Sequence, residues 1–189
     1  MAQLAGVRSF SADVIFASGY YQEVGTIIKQ ARQIGIRTPF LGGDGWDSPV
    51  LWDLGGPSLN GSYISSQYSN DIPTISNKLF RLAYQQRHGA EPDAMAALGY
   101  DATKILSEAI KRAGGTDGAA LRDALARTKN LDGVTGPITL NEQRDAIKPV
   151  YILRLKDRQF LYHTLVRPSL LSRSLNGRNT KPHRFRKNK

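Results

Sequence analysis

Apolar and polar positions along residues 13–47 predict a strand, a helix and a second strand. Val14, Ile15 and Phe16 form a short β-prone run, and residues 39–41 begin a second one. Between these runs, five apolar residues recur at helical spacing: Val24, Ile27, Ile28, Ala31 and Ile34. Gly35 then stands where a glycine often ends a helix. This order is typical of an open α/β sheet.

Aromatic and acidic residues follow each of these two strands. Tyr20 and Tyr21 come after the first strand, and Asp44 and Trp46 come after the second. Ligands of open α/β sheets bind outside the carboxyl ends of the strands. We therefore expect both clusters on one rim of the sheet, where the neighbouring glycines let a backbone approach a ligand closely.

Further strands and helices are predicted along the rest of the chain. Alternating polarity favours a third strand within residues 60–68, and helical spacing favours helices over residues 75–83, 98–113 and 117–125. After Gly133 the pattern changes to three short strands, at residues 137–140, 149–155 and 160–166. Arg158 lies in the turn between the last two strands. A two-residue turn there favours residues with positive φ, so arginine argues against that turn type.

Five segments resemble the leucine/isoleucine/valine-binding proteins, the periplasmic receptors of branched-chain amino-acid ABC transporters. They are DVIFASGYYQE, ARQIGIRTPFLGGDGWDSP, EPDAMAALGYDA, KRAGGTDGAALRDAL and LDGVTGPITLNE, in the family's order and spacing. The resemblance implies an α/β fold of the type I periplasmic binding class, with two Rossmann-like lobes joined by three crossovers. Residues 13–166 match only the C-terminal half of that fold, so the N-terminal half is expected to be absent.

The resemblance also implies a division of the chain. Residues 13–66 correspond to the C-terminal lobe, residues 67–132 to a crossover and helices of the N-terminal lobe, and residues 133–166 to returning strands. Residues 1–12 read as an irregular leader without a counterpart in the family. The helix at residues 98–113 would then lack its usual sheet partner, and we expect it to form a homodimer through Leu98, Ile105, Leu106 and Ile110.

The implied function is non-catalytic binding of a small aliphatic amino acid or amide. By resemblance, Asp44 corresponds to the acid that binds the ligand's ammonium group, and Tyr20 to a tyrosine that contacts the ligand. Trp46 is either an apolar wall of the site or a packing residue. Asp44 is alternatively a loop aspartate in an Asx-turn, and Tyr20 a strand-end aromatic on the following helix. Asp47 is expected to support the N-terminus of the next helix.

Motifs of common enzyme classes do not occur in this sequence. The run Gly42-Gly43-Asp44-Gly45 is not GxGxxG, and no Walker lysine motif, GxSxG or HExxH is present. The chain contains no cysteine and 3 histidines far apart in sequence, so we expect no disulfide, cofactor or metal site. In the family, the donors that hold the ligand's carboxylate come from the N-terminal lobe, so we expect impaired binding by this chain. The resemblance also implies delivery of the bound amino acid to an ABC permease.

The net charge of +10 comes mainly from one end of the chain. Eight lysines and arginines and no acids lie in residues 167–189, which read as a basic disordered tail. A ligand-sensing regulatory domain is the first alternative function, and nucleic-acid or anionic-surface binding through this tail is the second. The family is periplasmic, but no transmembrane segment or signal peptide is apparent, so the sequence as written predicts a cytoplasmic product.

Overall fold

Three parallel strands and an antiparallel hairpin form the main sheet in the computed structural model, which describes residues 2–10 and 12–168. The parallel strands are β1 (Ile15–Phe16), β2 (Phe40–Gly42) and β3 (Tyr63–Ser66). The hairpin consists of β7 (Val150–Lys156) and β8 (Gln159–Val166), and the strand order is β1-β2-β3-β7-β8. The predicted α/β class and these five strands are confirmed.

Two helices connect the parallel strands. Helix α2 (Tyr21–Gln33) joins β1 to β2, and its predicted apolar face is buried through Val24, Ile28 and Ala31. Helix α3 (Val50–Gly55) joins β2 to β3. Together with the sheet they enclose the core, because each element has one apolar face to bury. The largest fully buried core side chains are Trp46, Phe40, Ile28, Leu51, Leu59, Ile64, Leu153, Leu155 and Val24.

The remaining helices begin at side-chain caps that the sequence supplies. Helix α4 (Ile75–His88) begins after Thr74, helix α5 (Ala94–Ala113) after Asp93, and helix α6 (Gly118–Ala126) after Asp117. Each cap accepts a hydrogen bond from a backbone N–H three residues later, which satisfies a free donor of the first turn.

A second, smaller sheet follows these helices. It contains β4 (Leu131–Gly133), β5 (Gly136–Leu140) and β6 (Ala146–Ile147) in antiparallel order. By the family resemblance, residues 133–166 were expected to be strands that return to the C-terminal lobe. Only β7 and β8 of that range join the main sheet, because β5 pairs with β4 and β6 instead.

Two local expectations were wrong. Residues 1–12 are not irregular throughout, because helix α1 (Ala2–Arg8) packs Leu4 and Val7 against the core. The β7–β8 hairpin does have a two-residue turn, since Lys156 pairs with Gln159. Asp157 and Arg158 adopt φ values of 49° and 65°, which such a turn requires of both central residues.

Side-chain contacts explain how two non-glycine residues hold that turn. Asn60 Oδ1 accepts a hydrogen bond from Asp157 N at 2.9 Å. Arg158 Nη2 donates to Asp53 Oδ1 at 2.6 Å. These partners are about a hundred residues away in sequence, so the local pattern around Arg158 does not reveal them.

An apolar groove of about 800 Å³ runs between α4 and α5. Its floor contains Phe80, Tyr84 and Tyr100, with Leu79 62% exposed beside them. The exposed apolar side chains around this groove therefore lie on α4 and the first half of α5. Of the stripe predicted on α5, Leu106 is exposed, whereas Leu98, Ile105 and Ile110 are half-buried.

Candidate functional site

Three loops meet at the carboxyl edge of the parallel strands. Tyr20 follows β1, Asp44 follows β2, and Gln67 follows β3. Because the three strands are parallel, their carboxyl ends lie along the same edge. The structure therefore brings Tyr20 and the Asp44 loop to one rim, where the sequence analysis expected them.

Tyr20 lies directly against the Asp44 loop. A Cβ atom placed on Gly45 would be 3.1 Å from Cδ1 of Tyr20 and 3.0 Å from the carbonyl oxygen of Gly19. A side chain at position 45 would thus crowd both groups, and glycine permits this close approach. Tyr20 is 68% exposed, so its ring covers the loop while remaining accessible to a ligand.

Asp44 lines a small pocket with residues from the β2 loop, the β3 end and the start of α5. The lining residues are Asp44, Asp47, Ser66, Gln67, Asp93, Ala94, Met95 and Leu98. Three of them are aspartates and none carries a positive charge. A pocket with this lining attracts a cation, because an opposite charge is the strongest partner for a carboxylate at short range.

Asp47 is held differently from Asp44. Its Oδ2 accepts a hydrogen bond from Ser66 Oγ at 2.8 Å. Burial raises the pKa of Asp47, the carboxylates of Asp93 and Asp44 raise it further, and the hydrogen bond from Ser66 acts in the opposite direction. The expected role at the next helix is not what the side chain does, because its hydrogen bond goes to the end of β3.

Trp46 is a core residue in this structure. Its side chain is fully buried, and a Cβ on Gly42 would lie only 2.0 Å from its ring atom Cε2. The indole therefore packs on the bare backbone of β2 instead of facing the pocket. This placement corresponds to the packing interpretation of Trp46 and leaves no exposed ring surface to form an apolar wall.

Helix α5 contributes to this pocket, which the sequence pattern did not indicate. Asp93 caps the helix by accepting a hydrogen bond from Ala96 N at 2.8 Å. Met95 is 76% exposed, and with Leu98 it supplies apolar surface at the pocket. The capping pattern around Asp93 was readable in the sequence, but its position opposite Asp44 depends on how α5 packs.

Two absences concern residues 2–10 and 12–168, the part of the chain that the structure describes. Within these ranges, no group of three or more histidine, cysteine, aspartate or glutamate side chains is arranged to hold a metal ion. Within the same ranges, no helix has the length and apolar character needed to cross a membrane.

Comparison with known proteins gives consistent matches. A family model described as periplasmic binding protein matches residues 2–159, which includes most of the segment that the sequence analysis left without a counterpart. Leu/Ile/Val-binding protein homolog 3 of Brucella melitensis is 27% identical over 153 residues, which are 79% of this chain and 40% of that protein. The Leu/Ile/Val-binding protein of Escherichia coli K12 is 27% identical over 143 residues, covering 75% and 38% of the two chains.

Solved structures give a similar result. A leucine-binding protein from Thermotoga maritima superposes with a TM-score of 0.81 and 36% identity, over 88% of this chain and 48% of that one. A branched-chain amino-acid transporter substrate-binding protein from Streptococcus pneumoniae, in complex with isoleucine, has a TM-score of 0.79 and 29% identity, over 89% and 48% of the two chains. The chain thus spans about 40% of the length of these curated relatives and about half of these structures.

Proposed function

The chain belongs to the periplasmic binding protein family, whose members are solute-binding proteins and not enzymes, and from this premise we propose that its Asp44 pocket binds the ammonium group of a small aliphatic amino acid. The biological role would be capture of that amino acid for uptake by an ABC transporter. The family's compartment is the periplasm, and we propose the same compartment for a receptor that contains this chain.

The position of Asp44 is the observation that carries this proposal. Its side chain is exposed at the carboxyl edge of the sheet, within a pocket that has no basic lining residue. An ammonium group placed there gains a charge-assisted hydrogen bond, which contributes about 1.5–3 kcal/mol. Among the relatives, one structure contains isoleucine and another protein is described as leucine-binding, and both ligands carry such a group.

Tyr20, Met95 and Leu98 complete the proposed site. The exposed ring of Tyr20 covers one side of the Asp44 loop, while Met95 and Leu98 offer apolar surface from α5. We assign the apolar contact with the ligand to these two side chains in place of Trp46, because the Trp46 ring is buried in the core.

The lining residues offer no cationic partner for the carboxylate of an amino acid. A complete cleft gains about 1 kcal/mol for each of the ligand's roughly nine heavy atoms, which corresponds to about micromolar affinity. With contacts to about half of the ligand, the same scale gives about millimolar affinity. We therefore expect a polypeptide of this sequence alone to bind an amino acid weakly.

The test is a titration of the chain with L-isoleucine, followed by amide chemical shifts in NMR spectra. We expect shifts that concentrate at Tyr20 and at residues 43–46, with a dissociation constant in the millimolar range or weaker. Asp44→Asn should abolish them, whereas Asp71→Asn, which alters an exposed aspartate outside this pocket, should not. Binding that survives Asp44→Asn would remove Asp44 from the site.

Ligand analogues separate the chemical classes. 4-Methylpentanoate lacks the ammonium group and should not produce the shifts. 3-Methylbutanamide is neutral, and equal binding of this amide would favour the amide-receptor or regulatory alternative over amino-acid transport.

We also propose that two copies of the chain associate through the groove between α4 and α5. Leu79 and Leu82 are 62% and 55% exposed on α4, and Tyr100 is 49% exposed on α5. A second copy offers the same apolar groove, and homo-oligomers commonly pair identical surfaces about a twofold axis. This location differs from the α5 stripe that the sequence indicated, because Ile105 and Ile110 are half-buried.

A further inference from the structure

The Asp44 loop is one tight turn with two carboxylates on the same side. Trp46 N donates to Gly43 O at 3.2 Å, and Asp47 N donates to Asp44 O at 2.9 Å. These are bonds between residues three apart, the pattern of a 3₁₀ turn, in which side chains at positions i and i+3 eclipse each other. Asp44 and Asp47 therefore both line the same pocket.

The two ends of this turn are fixed by different contacts. At its start, β2 pairs with β3 up to Gly42 and Ile64, where the backbone ladder between the two strands ends. At its end, Asp47 Oδ2 accepts the hydrogen bond from Ser66 Oγ at 2.8 Å. Ser66 is fully buried, and its hydroxyl oxygen also accepts a hydrogen bond from Tyr68 N at 3.3 Å. Asp47 is thus attached to a rigid point at the end of β3.

We propose that Asp47 is a positioning residue, which holds the exposed Asp44 carboxylate in place for the ligand by anchoring the turn to Ser66. This inference rests on the proposed function, because it assigns Asp44 to the ammonium group. Asp47 itself is half-buried and one of its oxygens is occupied by Ser66, whereas Asp44 is exposed and free to receive a cation. The two neighbouring acids therefore have different roles: Asp44 contacts the ligand and Asp47 fixes the loop.

The anchor requires a hydrogen-bond acceptor at position 47 and not a charge. Asp47→Asn keeps a side-chain carbonyl oxygen that can accept from Ser66, while Asp47→Ala removes it. Ser66→Ala removes the donor from the other side. A direct electrostatic role would instead make the two variants equivalent, because Asp47→Asn and Asp47→Ala both remove the charge.

The first experiment measures backbone order parameters by NMR in the ligand-free chain. We expect Asp47→Ala and Ser66→Ala to lower the order of residues 43–46, and Asp47→Asn to preserve it. Asp93→Asn is the control for charge, because it neutralises another acid of the same pocket and retains a residue type that caps helices well. Unchanged order in Asp47→Ala, or an equal loss in Asp47→Asn, would overturn the proposal.

The second experiment measures affinity for L-isoleucine. Asp47→Ala and Ser66→Ala should each weaken binding by about tenfold, the double variant should be no weaker than either, and Asp47→Asn should restore most of the affinity. Wild-type affinity in Asp47→Ala would contradict the assignment. If the parent chain does not bind isoleucine at all, the proposed function fails, and the order parameters still decide whether Asp47 anchors the turn.

Discussion

Replacing Asp101 by alanine should destabilise the fold strongly, because this buried carboxylate holds α5 to the turn between β4 and β5. Asp101 is 2% exposed. Its Oδ1 accepts a hydrogen bond from Val134 N at 2.8 Å, and its Oδ2 accepts from Thr135 N at 2.9 Å and from Thr135 Oγ1 at 2.6 Å. Lys148 Nζ donates to the same threonine hydroxyl, so the contact extends to the residues that precede β7.

The magnitude follows from the groups that lose their acceptor. Asp101→Ala leaves three donors without it: the amides of Val134 and Thr135, which are fixed in the backbone, and the Thr135 hydroxyl, which can rotate. Each unsatisfied buried amide costs about 1–3 kcal/mol. Two such amides give a range of about 2–6 kcal/mol, which is reduced because a buried negative charge is also removed. We expect a loss of about 3 kcal/mol, a large share of the roughly 5–15 kcal/mol typical of a domain.

Urea denaturation is the appropriate assay. A loss of about 3 kcal/mol should lower the unfolding midpoint by about 1–3 M, since the slope in urea is about 1–3 kcal/mol/M. Asp101→Asn tests whether the loss of stability comes only from lost side-chain volume, because asparagine is similar in size to aspartate. Its amide NH2 group would face a backbone donor, so we expect this variant to be destabilised as well. Asp145→Ala makes the same change at an exposed site and should be nearly neutral. A loss below about 1 kcal/mol in Asp101→Ala would show that this carboxylate does not hold α5 to the turn.

Three further outcomes are expected. Arg158→Gly should raise the free energy of unfolding by about 0.5–1 kcal/mol in urea titrations, because positive φ costs a non-glycine residue about 1–2 kcal/mol and the exposed ion pair with Asp53 stabilises by less than that. A lower free energy of unfolding in this variant would contradict the prediction. In sedimentation velocity, Leu79→Glu should reduce self-association while Lys78→Glu, on the exposed polar surface of α4, should not; a parent chain that is monomeric at all concentrations would contradict the dimer. Burial raises the pKa of Asp47 above its ordinary value of 3.8, so folding favours the protonated form of this side chain. The stability of the folded chain therefore falls as pH rises from below 3.8 through the raised pKa. Asp47→Asn should therefore gain stability relative to the parent over that interval, and parallel stability curves from acidic to neutral pH would show that the shift is absent.

The order of the main elements and the edge at which the site forms both follow from local patterns of residues. Helical spacing and capping residues are local properties, so α2, α4, α5 and α6 were predictable from short windows. The rim that joins Tyr20 to the Asp44 loop was also predictable, because parallel strands place their carboxyl ends along one edge. The family resemblance rested on the same short motifs.

The roles of individual side chains near that rim depend instead on tertiary contacts. Trp46 was ambiguous in sequence, and the bare backbone of Gly42 provides the space that its ring fills in the core. Asp47 accepts its hydrogen bond from Ser66, nineteen residues away, instead of serving the next helix. The turn at Arg158 is likewise held by Asn60 and Asp53. Each of these outcomes depends on contacts between segments far apart in the chain, which a local pattern of residues does not encode.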